Sequence, residues 1–126
     1  MLVTSSSSAQ KEVEYKIKSV YFGGGSFYID EDQRQEVLDF LEGEILENYE
    51  IHIHSHTDNI GSVEFNKRLS RMRSFSARRF ILENGIPEEK VFIKDHGLFN
   101  PEFDNNTWQG RRQNRRVDIV LWPLPS

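Results

Sequence analysis

An aspartate and an arginine near the middle of the chain have the spacing of a site for a zwitterionic ligand. Asp58 follows a predicted strand and precedes a predicted helix, on which Asn66, Ser70 and Arg73 share one face. Ligands of α/β proteins bind at strand ends. There an arginine can bind a carboxylate through two hydrogen bonds, and an aspartate can pair with an ammonium group. The alternative is an internal Asp58–Arg73 salt bridge, and spacing alone does not decide between the two.

A basic segment lies just before the last predicted strand. Four arginines, Arg111, Arg112, Arg115 and Arg116, fall within six residues, a pattern that also occurs in nucleic-acid sites. The formal net charge of -4 argues against that interpretation. Neighbouring arginines that enter a strand should also point to opposite faces. We interpret one arginine as internally paired and the others as solvated, and we predict no nucleic-acid binding.

Three histidines alternate along another predicted strand. His52, His54 and His56 therefore lie on one face, and neutral imidazoles in such an array can chelate zinc or nickel. The face opposite an apolar stripe is commonly just solvated, so we predict no metal and no cofactor. The chain also offers no nucleophile with a base and an orienting group, and we predict that it is not an enzyme.

The first part of the chain predicts a strand and an amphipathic helix. The strand covers residues 13–22 and ends at the three glycines 23–25, which are typical of a flexible loop. Asp30 is the expected helix N-cap, with Gln33 as its capping-box partner. The helix covers residues 31 to about 47, and its apolar side chains recur at helical spacing. They are Val37, Leu38, Leu41, Ile45 and Leu46.

A second strand and a second helix follow. Residues 49–56 alternate, with Ile51 and Ile53 on the apolar face. Ser62 is the expected cap of a helix that runs to about residue 84, where Gly85 and Pro87 end it. The predicted core stripe of this helix consists of Phe65, Leu69, Met72, Ser76 and Phe80.

Two further strands complete the predicted fold. They cover residues 91–93 and 116–122 and give the order β-α-β-α-β-β. This order predicts an α/β protein, built as an α+β two-layer sandwich with a mixed sheet and helices packed on one face. We expect the serine-rich residues 1–12 to be a flexible segment or linker and residues 13–126 to be one domain.

Composition supports one small domain. The chain has 126 residues, of which 37% are hydrophobic and none is cysteine, so disulfides and thiol chemistry are excluded. No apolar run approaches the ~18 residues of a transmembrane helix. The first residues lack the basic and apolar regions of a signal peptide. A cytoplasmic protein and a domain of a longer exported protein both remain open on this basis.

Motifs between residues 16 and 122 occur in an order that resembles a known family. They are Phe22, Ile53-x-x-His56-Thr57-Asp58-x-x-Gly61, Asn66-x-x-Leu69-Ser70-x-x-Arg73, Gly97 with Pro101, and Gly110-Arg111-x-x-Asn114-Arg115-Arg116-Val117. In type and order they are similar to the OmpA C-terminal-like family. The resemblance implies a βαβαββ domain that holds peptidoglycan noncovalently and does not cut it.

The resemblance also implies a ligand and a location. The ligand is the diaminopimelate of the peptidoglycan stem peptide, with Asp58 receiving its ammonium group and Arg73 its carboxylate in an exposed, pre-formed pocket. The location is the periplasm, within an outer-membrane or envelope-anchored protein, and the partners are peptidoglycan and possible further envelope proteins or a second copy. The other residues expected to shape the pocket are Thr57, Asn66, Leu69 and the segment 114–116, with Arg116 as its named site residue.

Two positions depart from the family pattern. Ser55 stands where a glycine is usual, and the loop 23–25 is all glycine where a polar residue usually helps to hold the ligand. We expect little effect from Ser55. For the loop we expect either that backbone amides substitute or that affinity falls. The alternative function is a protein-interaction or stator module in which wall binding is weak or absent.

Overall fold

The computed structural model describes residues 14–94 and 105–125, which form a sheet with helices packed on it. The strands are β1 (Lys16–Tyr21), β2 (Tyr49–His56), β3 (Val91–Ile93) and β4 (Arg116–Pro123). The helices are α1 (Glu31–Glu42), α2 (Val63–Glu83) and α3 (Trp108–Asn114), with short 3₁₀ turns at Leu46–Asn48 and Glu88–Lys90. The predicted segment 1–12, and Gly97 and Pro101 of the resemblance, lie outside the described residues.

The sheet is mixed, as predicted. Its strand order is β1-β4-β2-β3. Strand β4 pairs antiparallel with β1 and with β2, whereas β2 and β3 are parallel. Because β4 lies at the centre of the sheet, the chain that enters it, around Arg115, is placed beside the ends of both β1 and β2.

The hydrophobic core lies between the sheet and helices α1 and α2. Ile51 and Ile53 of β2 and Val117, Ile119 and Leu121 of β4 are at most 1% exposed and face the helices. The helices contribute further buried side chains. These are Val37 and Leu41 of α1 and Ala77, Phe80 and Ile81 of α2. The two-layer architecture with helices α1 and α2 on one face is therefore confirmed.

Helix α1 is shorter than predicted. It begins after Asp30, whose carboxylate accepts a hydrogen bond from the Gln33 amide, and ends at Gly43 rather than near residue 47. Ile45 is consequently outside the helix and 66% exposed. Strand β1 is also shorter at both ends than the predicted residues 13–22.

The core stripe predicted for α2 is wrong in part. Phe65 and Met72 are exposed and Ser76 is half-buried, whereas Leu69 and Phe80 are buried as predicted. The helix presents to the sheet a face of mostly polar or small residues, in which Ser70 shares a hydrogen bond with Ser55 of β2. Small side chains let the helix approach β2 closely, so polar residues occupy the inner face. This face consists of Asn66, Leu69, Ser70, Arg73, Ser74, Ala77, Phe80 and Ile81.

The order of elements also differs from the prediction, because helix α3 lies between β3 and β4. It has seven residues and only Gly110 and Asn114 are buried, so it lacks the apolar periodicity that would have revealed it. Its N-cap is Thr107, whose hydroxyl accepts a hydrogen bond from the Gly110 amide. Among the described residues, none of the helices is both long and apolar enough to cross a membrane.

Candidate functional site

Asp58 lies in a tight turn between β2 and α2. Its Oδ1 accepts a hydrogen bond of 3.0 Å from the Ile60 amide, and the Asn66 side chain donates to the Ile60 carbonyl at 3.0 Å. Gly61 has a φ of 94°, and a Cβ there would lie 3.1 Å from the Phe65 ring, so glycine is needed at this position. The turn fixes a carboxylate that is only 7% exposed.

Arg73 is a fully buried charge on the inner face of α2. Its Nε donates to the Ser26 carbonyl at 2.8 Å, its Nη2 donates to the Gly23 carbonyl at 3.0 Å, and its guanidinium lies 5.0 Å from the centre of the Phe22 ring. Burial lowers the pKa of Arg73 to about 10, with the charge of Asp58 opposing this shift and the charge of Arg115 adding to it. Arg73 is therefore protonated at neutral pH.

Two buried polar atoms at this site have no hydrogen-bond partner among the described residues. They are Nη1 of Arg73 and Oγ1 of Thr57, the residue before Asp58. Such orphaned groups are rare in proteins and are costly when a charged donor is involved. The site therefore has an unused donor on a buried cation and, on the residue before Asp58, an unused hydroxyl that can donate or accept.

The ion-pair partner of Asp58 is Arg115. Their Nη1 and Oδ2 atoms are 3.0 Å apart, and Nε of Arg115 also donates to the Phe22 carbonyl at 3.2 Å. Arg73 acts on Asp58 only through its charge, so the suggested Asp58–Arg73 salt bridge is wrong. The expected exposed pocket is wrong too, since both side chains are buried under the loop that carries Gly23 and Ser26.

The remaining predicted site residues are not all brought together. Thr57 and Asn66 are each 1% exposed and Leu69 is 8% exposed, and all three lie on the turn or on the inner face of α2. Arg116 is elsewhere. Its Nε is 3.0 and 3.2 Å from the two carboxylate oxygens of Asp118, on the sheet face that points away from the core.

Arg116 belongs to a buried polar cluster on that outer sheet face. Asp118 also accepts from the Ser19 hydroxyl at 2.7 Å and lies 3.5 Å from Nε2 of His56. Burial alone would raise the pKa of Asp118, but the hydrogen bonds from His56, Ser19 and Arg116 and the charge of Arg116 lower it to about 2. The cluster anchors the start of β4 and so positions the neighbouring Arg115.

The histidines of β2 make different contacts from one another. His52 lies 2.9 Å from Glu50 and stacks on Trp122, whereas His56 faces Asp118. Within residues 14–94 and 105–125, no three His, Cys, Asp or Glu side chains are grouped so that they could hold a metal. The absence of metal binding in solution stays a prediction.

The structure shows the contacts of the two positions that depart from the family pattern. Ser55 is fully buried and bonds to Ser70, so it joins β2 to α2 without disturbing the turn. The glycine loop presents carbonyls, not amides, to Arg73. The expectation that loop amides substitute for a polar side chain, or that affinity falls, stays a prediction.

Comparison with known proteins identifies the family. The model of the OmpA family matches residues 21–115, three quarters of the chain, including Asp58, Arg73 and Arg115. The chain belongs to the OmpA family. This family consists of non-enzymatic domains that bind or anchor to peptidoglycan.

Relatives of this OmpA-family domain include an outer-membrane lipoprotein, a probable lipoprotein and an outer membrane protein A. The outer-membrane lipoprotein YfiB of Pseudomonas aeruginosa is 35% identical over 56% of this chain and 42% of its own length. The peptidoglycan-binding protein ArfA of Mycobacterium bovis is 35% identical over 55% of this chain and 21% of its own length. The chain thus spans less than half of either relative.

A solved structure agrees in fold. The peptidoglycan-associated lipoprotein from Burkholderia pseudomallei has a TM-score of 0.71 and 25% sequence identity, covering 82% of this chain and 88% of that one. Arg115 lies in the segment 114–116 that the resemblance implied, although Arg116 was the arginine singled out as a site residue. The alternation rule, which sends the two arginines to opposite faces, was the signal that could have identified it.

Proposed function

We propose that this domain binds peptidoglycan noncovalently through the diaminopimelate of the stem peptide, and thereby anchors a periplasmic envelope protein to the wall. The observation that carries the proposal is the orphaned Nη1 of the buried, protonated Arg73. A ligand carboxylate would give this donor a charged partner and remove the cost of leaving it unsatisfied.

The charges of the site favour a ligand of this kind. Arg73 and Arg115 carry two positive charges against the single negative charge of Asp58. A carboxylate is therefore the group that the site lacks. An ammonium group beside the carboxylate would share Asp58 with Arg115. It would therefore contribute less to the binding free energy than the carboxylate does. The far end of diaminopimelate carries both groups on one carbon.

Binding requires the glycine loop to move. Arg73 and Asp58 are buried, and the carbonyls of Gly23 and Ser26 lie on the guanidinium. Added Cβ atoms at Gly23, Gly24 or Gly25 would meet nothing within 4 Å, so side-chain packing does not hold these glycines, and a shift of the loop mainly breaks its two hydrogen bonds with Arg73. The ligand carboxylate would then replace loop carbonyls with a stronger, charge-assisted acceptor.

The names of two relatives support the proposal, since ArfA is a peptidoglycan-binding protein and the Burkholderia pseudomallei protein is a peptidoglycan-associated lipoprotein. The test is co-sedimentation with purified diaminopimelate-type peptidoglycan. We expect the wild-type domain to sediment, and Asp58→Ala or Arg73→Ala to stay in the supernatant while circular dichroism shows an intact fold.

A matched control is Arg71→Ala, which removes an exposed arginine of the same helix. This variant should sediment like the wild type. If folded Asp58→Ala and Arg73→Ala proteins both sediment normally, the site does not hold the ligand. If the wild type itself fails to sediment, the alternative of a protein-interaction or stator module is favoured.

A further inference from the structure

A second cleft opens beside the Asp58–Arg73 site. Its volume is about 650 Å³, and it lies between the end of β1, the start of α1 and helix α3. It is lined mainly by aromatic and amide side chains. The lining residues are Tyr21, Phe22, Gly23, Asp30, Gln33, Trp108, Gln109, Arg112, Gln113 and Arg115.

The cleft is continuous with the site already described. Phe22, Gly23 and Arg115 line it. The Phe22 carbonyl accepts a hydrogen bond from Arg115, the Gly23 carbonyl accepts one from Arg73, and Arg115 pairs with Asp58. A movement of the glycine loop that uncovers Arg73 would therefore open the site directly into this cleft.

One wall of the cleft is fixed by internal hydrogen bonds. The Gln33 amide nitrogen donates to the Tyr21 carbonyl and to the Asp30 carboxylate, both at 2.8 Å. Its amide oxygen accepts from the Tyr21 amide at 2.6 Å. These bonds tie the start of α1 to the end of β1, so this wall is pre-formed and its polar groups are already satisfied.

The opposite wall is the outer face of α3, where Arg112 stacks on Trp108 and the side chains of Gln109 and Gln113 have no hydrogen bond to another described residue. Trp108 is 59% exposed, although the Arg112 guanidinium lies 4.9 Å from its ring centre. Gln109 and Gln113 are exposed one turn apart. On this face the Trp108 ring is flanked by two side-chain amides, which can both donate and accept hydrogen bonds.

We infer that this cleft binds an N-acetylated amino sugar of the peptidoglycan glycan strand. A pyranose ring has an apolar C–H face, which packs on the negative face of an indole, and hydroxyl and acetamido groups at its edge. Gln109, Gln113 and Arg112 match those edge groups, because a hydroxyl needs both donors and acceptors. A concave site that combines aromatic rings with several polar side chains suits such a neutral, polar ligand better than a lipid or an apolar peptide.

The inference rests on the proposed function and extends it. In peptidoglycan the diaminopimelate is separated from the sugar by two stem residues, a reach on the order of 10 Å. A ligand whose far carboxylate is held by Arg73 would place its sugar near the cleft that begins at Gly23 and Arg115. Two joined contacts bind more tightly than either alone, since the second forms within one complex.

The experiment compares two ligands by calorimetry. One is the free tripeptide L-Ala–γ-D-Glu–diaminopimelate, and the other is the same tripeptide attached to its disaccharide. We expect the wild-type domain to bind the disaccharide form about 5- to 20-fold more tightly. Trp108→Ala should reduce that ratio to about twofold or less, as expected when an aromatic stacking contact is lost. The affinity for the free tripeptide should stay unchanged.

The control is Trp122→Phe, which changes the other tryptophan of the chain, at the far end of β4. It should leave the ratio at its wild-type value. An unchanged ratio in Trp108→Ala, or an equal affinity of the wild type for both ligands, would overturn the sugar site while leaving the stem site standing. A disaccharide form that binds through Trp108 while the tripeptide does not bind would support the sugar site and overturn the diaminopimelate site.

Discussion

Asp58 is held by Arg115, with 3.0 Å between their charged atoms, and Arg73 is left with an unsatisfied Nη1 beside them. Arg115 therefore has a structural role, whereas Arg73 is available to bind a ligand. Arg115 comes from the start of the central strand β4 and neutralises the buried carboxylate. Arg73 carries the excess positive charge that a ligand can use.

The first prediction concerns Arg115. Arg115→Ala leaves the Asp58 carboxylate, whose side chain is 9% exposed, without its direct partner. Removing one partner of a buried pair costs about 1–3 kcal/mol. We therefore expect the free energy of unfolding to fall by about that amount, measured by urea denaturation at pH 7. Arg71→Ala, a change of an exposed arginine on α2, should alter it by no more than about 0.5 kcal/mol.

The second prediction concerns the stability of the domain in acid. The pKa of Asp118 is about 2 in the folded state against a reference value of 3.8. Because the folded-state pKa is depressed, the stabilisation is fully present above pH 4 and is lost as pH falls from about 4 to 2. Its size is on the order of 2 kcal/mol.

Asp118→Asn isolates that contribution. The variant should be less stable than the wild type at pH 6, and the difference should narrow as the pH is lowered from about 4 to 2. Thermal or urea unfolding at several pH values measures it. A difference that stays constant over this range would show that the ionised carboxylate is not what stabilises the cluster with Arg116, Ser19 and His56.

The third prediction concerns the turn after Asp58. Gly61 has a φ of 94°, and a Cβ there would lie 3.1 Å from the Phe65 ring, which is tighter than an ordinary contact. Gly61→Ala should therefore cost about 1–3 kcal/mol of stability and weaken binding, since the turn positions Asp58. Gly24→Ala is the matched control, because Gly24 has no positive φ and no neighbour within 4 Å of an added Cβ.

Gly24→Ala should change the free energy of unfolding by no more than about 0.5 kcal/mol. If Gly61→Ala is as stable as this control, the turn can adopt another conformation. If Gly24→Ala weakens ligand binding without loss of stability, the freedom of the glycine loop is what the ligand uses.

The sequence predicted the sheet well because strand patterns are local. Strands β2 and β3 have the predicted bounds, and β4 extends one residue further. Alternation with Ile51 and Ile53 on one face is a signal that needs no knowledge of the rest of the fold. The turn at Asp58 and the caps Asp30 and Ser62 were predicted for the same reason.

The inner face of α2 was mispredicted because it depends on tertiary contacts. Hydrophobicity pointed to Phe65 and Met72, but close approach to β2 and the Ser55–Ser70 hydrogen bond put a polar face inward. A fully buried arginine such as Arg73 is tolerated only because loop carbonyls from a distant part of the chain solvate it. No local pattern in the sequence carries that information.

The last prediction concerns ligand choice. Diaminopimelate differs from lysine by a carboxylate on its far carbon, and an amidated diaminopimelate replaces that carboxylate with a neutral group. In our proposal this carboxylate meets the orphaned Nη1 of Arg73, which is 0% exposed. A charge-assisted hydrogen bond contributes about 1.5–3 kcal/mol, and each ~1.4 kcal/mol is a factor of ten in affinity.

We therefore expect stem peptides with lysine or amidated diaminopimelate to bind roughly 10- to 100-fold more weakly, because Arg73 loses its charged partner. Calorimetry with the three matched peptides in one low-salt buffer measures this, with Arg71→Ala protein as a control that should show the same order. Equal affinities would mean that Arg73 only supports the glycine loop and that peptidoglycan is recognised through its sugar or peptide backbone. A further outcome is that Asp58→Ala protein keeps a strong preference for the ligand that carries the carboxylate. That result would show that Arg115 neutralises Asp58 and that the ligand ammonium group contributes little to the binding free energy.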